Sequence, residues 1–123
     1  MSIRRINLGK HGENIAIKFL KARNFRIIAR NYRNKFGEID IIAQDDDTRV
    51  FVEVKTRSSD RFCLPEEAVS PAKQKQICRV AQYYLVTAKD LDDIPVRFDV
   101  VAITISEDKP LINHIVSAFD NSS

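Results

Sequence analysis

Glycine, cysteine and long apolar runs are all scarce in this chain of 123 residues, and each scarcity excludes something. Only three glycines occur, Gly9, Gly12 and Gly37, and there is no Gly/Ser linker, repeat or low-complexity block. The chain therefore reads as a single domain over residues 1–119, with a frayed tail at 120–123. The two cysteines, Cys63 and Cys78, lack metal-ligand spacing and read as free thiols of a reducing cytoplasm. No apolar run approaches the roughly 20 residues of a membrane span. No apolar segment follows the basic residues 1–5, so no secretory signal is expected. Acids are nearly missing from the first third. Residues 1–35 hold ten Lys or Arg against Glu13 alone, a balance of +9, and residues 36–123 carry −6. Such asymmetry suits a polyanion at the basic end, or else a plainly solvated helix face.

Hydrophobic periodicity supplies the elements. Ile15, Ala16, Phe19 and Leu20 recur at helical spacing, which predicts a helix from about residue 8 or 12 to residue 23. Glu13 falls in its first turn, near the inward face, where a carboxylate also suits the helix dipole. Strands are expected over 25–31, 36–44 and 49–57, the last two joined as a hairpin by the polar turn from Asp45 to Thr48. In the second strand Glu38, Asp40 and Ile42 are expected on one face, with Ile39, Ile41 and Ala43 on the other. In the third, Phe51, Glu53 and Lys55 oppose Val50, Val52 and Val54. A polar connection over 58–70, containing Pro65, leads to Pro71 as a first-turn proline. A helix over 71–88 follows, with Ile77, Val80, Ala81, Tyr84, Leu85 and Ala88 on one face, then strands over 96–106 and 111–118. The order α-β-β-β-α-β-β implies an α/β protein, a mixed sheet with helices packed on it.

The chemistry lies in charges set inside apolar strands. Asp40 stands among Ile39, Ile41 and Ile42; Glu53 and Lys55 alternate with Val52 and Val54. An unpaired buried carboxylate costs several kcal/mol, so such groups are paired or bind metal. Either Lys55 neutralises one of the acids, or Asp40 and Glu53 converge from adjacent strands on a divalent cation. Two carboxylates plus a main-chain carbonyl such as that of Val54 make a hard oxygen set suited to Mg²⁺ or Mn²⁺. Lys55 would then face the substrate. Asp99, also in an apolar strand, reads as a partner of Arg97 or Arg57. Tyr83 and Tyr84 read as rim and core of their helix rather than as base-stacking platforms. His11 and His114 have no ligand spacing and read as uninvolved in chemistry.

Gly37-Glu38-Ile39-Asp40 followed by Phe51-Val52-Glu53-Val54-Lys55 resembles the Asp…Glu-x-Lys signature of the PD-(D/E)xK nuclease superfamily. Gly12-Glu13, Asn31-Tyr32-Arg33, Thr56-Arg57, Glu67-Ala68-Val69-Ser70 with Lys73, and Arg97-Phe98-Asp99-Val100 extend a resemblance to the bacterial YraN family over most of the chain. That family is similar in turn to archaeal Holliday-junction resolvases. The resemblance implies a restriction-endonuclease-like fold, with Asp40 and Glu53 as metal ligands, Lys55 as the catalytic lysine and Glu13 as a further acid at the metal. The superfamily's proline before the first aspartate is replaced here by Ile39. Glu38 reads either as an outer or second-metal group or as a salt bridge. Arg26, Arg30, Arg33, Lys35, Arg57 and Lys73 are the expected phosphate contacts, on DNA in the first instance, and the resolvase likeness implies a homodimer. Phosphate contacts carry no base information, so recognition by nucleic-acid structure is expected rather than by sequence.

Overall fold

A computed structural model describes residues 3–58, 69–88, 93–106 and 109–120, with the backbone alone for residues 3–7. Cys63, Pro65, Glu67 and the last three residues of the expected tail lie outside the described residues. The first helix, α1 (Ile3–Ala22), begins earlier than its apolar face suggests. Its end is set by Asn24, which takes a left-handed φ of 70°. The Phe25 amide then bonds back to the Leu20 carbonyl and the Asn24 amide to that of Lys21, both at 3.0 Å. Asparagine tolerates this conformation, and the two bonds use carbonyls the helix would otherwise leave unpaired. Phe25, buried beside Leu20, seals the stop.

Three strands follow: β1 (Arg26–Asn34), β2 (Gly37–Asp45) and β3 (Thr48–Ser58). Strand β1 runs three residues past its expected end, because its polar second half sits at a sheet edge where one side meets water. The β2–β3 turn is made by Asp46 and Asp47, with Asp46 at φ 55° and Asp45 paired to Thr48. Helix α2 (Pro71–Thr87) starts as expected: Pro71 occupies the first turn, and the Ser70 hydroxyl accepts the Lys73 amide at 3.2 Å. Strands β4 (Val96–Ile105) and β5 (Leu111–Phe119) complete a five-stranded sheet in the order β1-β2-β3-β4-β5. The β3–β4 pair is parallel and the other three are antiparallel, so the sheet is mixed and the fold is α/β.

The helices cover opposite faces. Ala16, Ile17 and Leu20 of α1 pack on Ile41, Ala43, Val50, Val52, Val101 and Ile103. Ile77, Val80 and Ala81 of α2 pack on Ile39, Ile42, Phe51 and Phe98. This corrects the alternation expected for β2, because Ile39 shares a face with Ile42 and not with Ile41 and Ala43. The two-residue period slips between residues 39 and 42, where the facing strand holds Asn31 at φ 50°.

No described helix is long and apolar enough to cross a membrane.

Candidate metal centre

Strand registers place the two central acids. The β2–β3 ladder runs from Asp45↔Thr48 to Ile41↔Val52 and goes no further. Past that point β2 stays with β1 as far as Asn34↔Gly37, and β3 stays with β4 as far as Ser58↔Ile105. The sheet thus forks. Asp40 and Glu53 are the first residues in the fork, where main-chain groups no longer pair across the gap and side chains can enter.

Asp40 closes the fork by accepting the Val54 amide on Oδ2 at 2.9 Å. In an extended strand the N–H and C=O of one residue project to the same side. The Val54 carbonyl is therefore directed toward Asp40 too, as a main-chain ligand would need to be. The Asp40 and Glu53 side chains lie within hydrogen-bonding reach of each other, an arrangement that favours a proton held between them. Burial is the first cause raising both pKa values above the ordinary carboxylate range. Glu53, only 9% exposed and facing the Asp40 charge, is pushed up to about 8. Asp40 is raised less freely, because the Val54 amide and the Glu53 hydrogen bond stabilise its charge. Lys73 at the start of α2 draws both acids down, and Lys55 draws Glu53 down. The described ion pairs form elsewhere: Arg30 with Glu13, Arg33 with Glu38, and Arg97 with Asp45 and Asp99.

Buried Glu53 and half-buried Asp40, facing each other in the fork, make an electron-rich pocket. That is the donor chemistry a divalent cation fits. Asp40, Glu53 and the Val54 carbonyl would hold it. Among the described residues no group of three His, Cys, Asp or Glu gathers closely enough to hold a metal ion, so Glu13 is not brought into a three-acid cluster. Glu13 stands nearby, and the Asp40 charge is the second cause, after burial, of its raised pKa. Its carboxylate is engaged by the Asn31 side chain and, at 3.9 Å, by Arg30. Gly12 sets that distance. A Cβ there would lie 1.8 Å from Thr56 Oγ1, so only glycine lets α1 lie this close to β3.

Asn31 is the residue that strand propensity passed over. It faces the slip in β2 with φ 50° and hydrogen-bonds Glu13. The available signal was an asparagine in a polar stretch of strand, since Asn is the residue that most readily replaces glycine at positive φ. Of the expected phosphate contacts, Arg26, Arg30, Arg33 and Lys35 are exposed on β1 and its turn, while Arg57 and Lys73 are half-buried. Arg30 is held by Asn14 at 2.8 Å as well as by Glu13, and Arg33 by Glu38 at 3.2 Å. Glu38 is thus a salt-bridge residue whose charge also reaches Asp40. Exposed pairs of this kind contribute little and exchange readily for a phosphate.

The other buried acid is settled differently. Asp99 is 0% exposed and accepts Arg97 Nε at 3.0 Å, Arg97 Nη2 at 3.2 Å and the Ser117 amide at 3.0 Å, with His114 Nε2 at 2.8 Å. These donors outweigh its burial and lower its pKa. Arg97, not Arg57, is its arginine. His114 sits edge-on between Phe19 and Phe25 and serves the core.

A family model described as "Uncharacterised protein family UPF0102" matches residues 12–103. The chain is 48% identical over 115 residues to a UPF0102 protein of Syntrophus aciditrophicus, covering 94% of this chain and 90% of that one. It is 49% identical over 114 residues to a UPF0102 protein of Geobacter sulfurreducens, covering 92% and 88%. To a UPF0102 protein of Alkaliphilus oremlandii it is 50% identical over 113 residues, covering 91% and 97%. On these matches, which bear out the YraN resemblance, the chain belongs to the uncharacterised protein family UPF0102.

Proposed function

We propose that this protein is a metal-dependent nuclease that hydrolyses phosphodiester bonds in nucleic acid, with branched DNA as its first candidate substrate. One observation carries the reading. Buried Glu53 and half-buried Asp40 meet at the fork of the sheet, Asp40 raising the proton affinity of Glu53 and Glu53 stabilising the charge of Asp40, with lysine charge acting on both and, among the described residues, no ion pair on either. A salt bridge serving stability would look like Asp99.

Asp40, held by the Val54 amide, is the fixed ligand. Glu53 must first release its proton, and the positive charges of Lys55 and Lys73 favour that release. Mg²⁺ or Mn²⁺ bound there supplies Lewis acidity toward a phosphoryl oxygen and a lowered pKa for an attacking water. Lys55 holds that water or stabilises the charge gathering on the phosphoryl oxygens. Lys73 and the exposed arginines of β1 hold flanking phosphates, which makes affinity fall steeply with salt and leaves base sequence unread. The resemblance to the superfamily implies products with 5′-phosphate and 3′-hydroxyl ends. Paired cuts across a junction need two such sites, so the proposed active form is a homodimer.

The test is a labelled panel of four-way junction, flap, duplex and single strand, in DNA and RNA, incubated with Mg²⁺ or Mn²⁺. Wild type should cut at least one substrate, and Asp40→Asn and Lys55→Ala should cut none. Salt-sensitive binding with no cleavage under any condition would make the fold a binding module instead.

A further inference from the structure

The β1–β2 turn and the outer face of α2 each carry a large aromatic ring that the core does not use. Phe36 and Tyr83 are each 39% exposed and meet edge to face, 5.8 Å apart. A burial force would have hidden them, and each is on the surface beside positive charge. Lys35 Nζ sits over both rings, at 5.3 Å from Phe36 and 5.4 Å from Tyr83. A shallow depression of about 510 Å³ opens beside them, lined by Phe36, Ala72, Lys73, Lys75, Gln76 and Arg79. Three of those six are cations and none is an acid.

The rings are held from behind. Gln76 donates to the Phe36 carbonyl at 3.3 Å, and the Asn34 side chain accepts the Phe36 amide at 2.9 Å. Gly37, at φ 143°, lies against the Gln76 side chain, where a Cβ would come within 2.7 Å of Nε2. The turn is thus fixed on α2 while its aromatic faces meet solvent. Its link to the metal centre is Lys73, which lines the depression and whose charge acts on both Asp40 and Glu53.

Exposed aromatics framed by lysine and arginine have one well-matched ligand chemistry. A base offers a π-face to stack, and its phosphates offer charge to the cations. A paired duplex base offers neither face, since both are already stacked. The Lys35 ammonium now over the rings is an exposed side chain that moves on a picosecond to nanosecond scale, free to shift to a phosphate.

We propose that Phe36 and Tyr83, with Lys35, Lys75 and Arg79, form a stacking platform for an unpaired base of a single DNA strand, on the side of the metal centre of Asp40 and Glu53 that Lys73 borders. The proposal rests on the nuclease reading for its second clause and deepens it. The preferred substrate has single-stranded character beside the cut, as at a flap or the arms of an opened junction.

The test is binding, without metal and in chelator, so that it does not depend on cleavage. The chain has no tryptophan, which makes Phe36→Trp a single reporter at the platform. Oligothymidylate should quench its emission, and an abasic oligonucleotide of equal length and charge should not. Phe36→Leu should bind oligothymidylate roughly tenfold more weakly than wild type and bind duplex equally well. Lys75→Ala with Arg79→Ala should weaken binding to both and flatten the salt dependence by about one to two charges. Unchanged melting temperatures would show that these surface variants are folded. Equal affinity of wild type and Phe36→Leu, or an unquenched tryptophan, overturns the platform and leaves the nuclease reading standing. Binding and cleavage of duplex with no affinity for single strands does the same. A protein that binds no nucleic acid and cuts none overturns both.

Discussion

Two buried carboxylate clusters lie on neighbouring strands of the sheet, and the protein treats them in opposite ways. Asp99 on β4, opposite Val52 of β3, is surrounded by donors from Arg97, His114 and the Ser117 amide, and its pKa is lowered. One register position along, Glu53 on β3 lies opposite Val100 and has another acid, Asp40, as its nearest partner, and its pKa is raised to about 8. Burial is comparable, so burial does not separate a structural acid from a candidate ligand. The partner does. Where folding alone is served, cations and amides converge on the carboxylate; where a ligand is awaited, the carboxylates converge on each other.

The sharpest way to break this contrast is to neutralise one acid of each cluster. Asp40→Asn should lower cleavage by about a hundredfold or more. It should leave stability nearly unchanged, because the amide keeps an acceptor for the Val54 N–H and a hydrogen-bonding partner for the Glu53 carboxyl. Asp99→Ala should do the reverse, costing about 3–5 kcal/mol because it leaves the buried His114 Nε2 and the Ser117 amide without their acceptor and takes one of its two carboxylates from Arg97. Chemical denaturation and a cleavage assay on the same preparations read both effects. If Asp40→Asn destabilises as much as Asp99→Ala, the two clusters are equivalent and the contrast fails.

A smaller change tests how α1 is seated against the site. Gly12→Ala pushes a methyl group into Thr56 and should cost about 1–3 kcal/mol. Because the displaced helix carries Glu13, cleavage should fall as well, beyond what the lost stability explains. A Gly12→Ala protein with unchanged melting temperature and activity would mean that the close approach is dispensable.

The pH dependence of stability also separates the clusters, because the two shifts have opposite signs. Asp99 is lowered, so its contribution is present above its unfolded pKa and is lost as pH falls through the folded value. Glu53 is raised, from 4.5 to about 8, so its contribution is full below 4.5 and is lost progressively as pH rises toward about 8. Metal-free wild type should therefore lose melting temperature between about pH 5 and 8. Glu53→Gln should flatten that decline without altering the acid limb. A wild-type profile that is flat to pH 8 would mean that the Asp40–Glu53 pair shares no proton.

Much of this was legible in the sequence, and the boundary of legibility has physical causes. Alternation in β3 and the helical face of α2 are local patterns, so the element order, the mixed sheet and the meeting of Asp40 with Glu53 across a hairpin could be read from neighbours in sequence. The slip at Ile39–Ile42 could not, because Ile39, Ile41, Ile42 and Ala43 are all apolar and both faces of the sheet are core there, so either side suits each of them. The early start of α1 was missed because apolar spacing reports where a helix packs and not where it begins, whereas its end was read to within a residue. Most of all, Asp40 and Asp99 look alike as acids among valines and isoleucines. What distinguishes them is contributed by β5, whose His114 and Ser117 stand 15 and 18 residues from Asp99. Only the folded sheet brings those donors in.

The most direct test of the central claim is calorimetric titration of the protein with Mn²⁺ at pH 7 in buffers of different ionisation enthalpy. The account predicts one saturable site in wild type with release of close to one proton, because Glu53 is largely protonated at that pH. It predicts no such site in Asp40→Asn or Glu53→Gln. Absence of binding in wild type, or binding that survives both substitutions, would contradict the assignment of this pair as the metal centre.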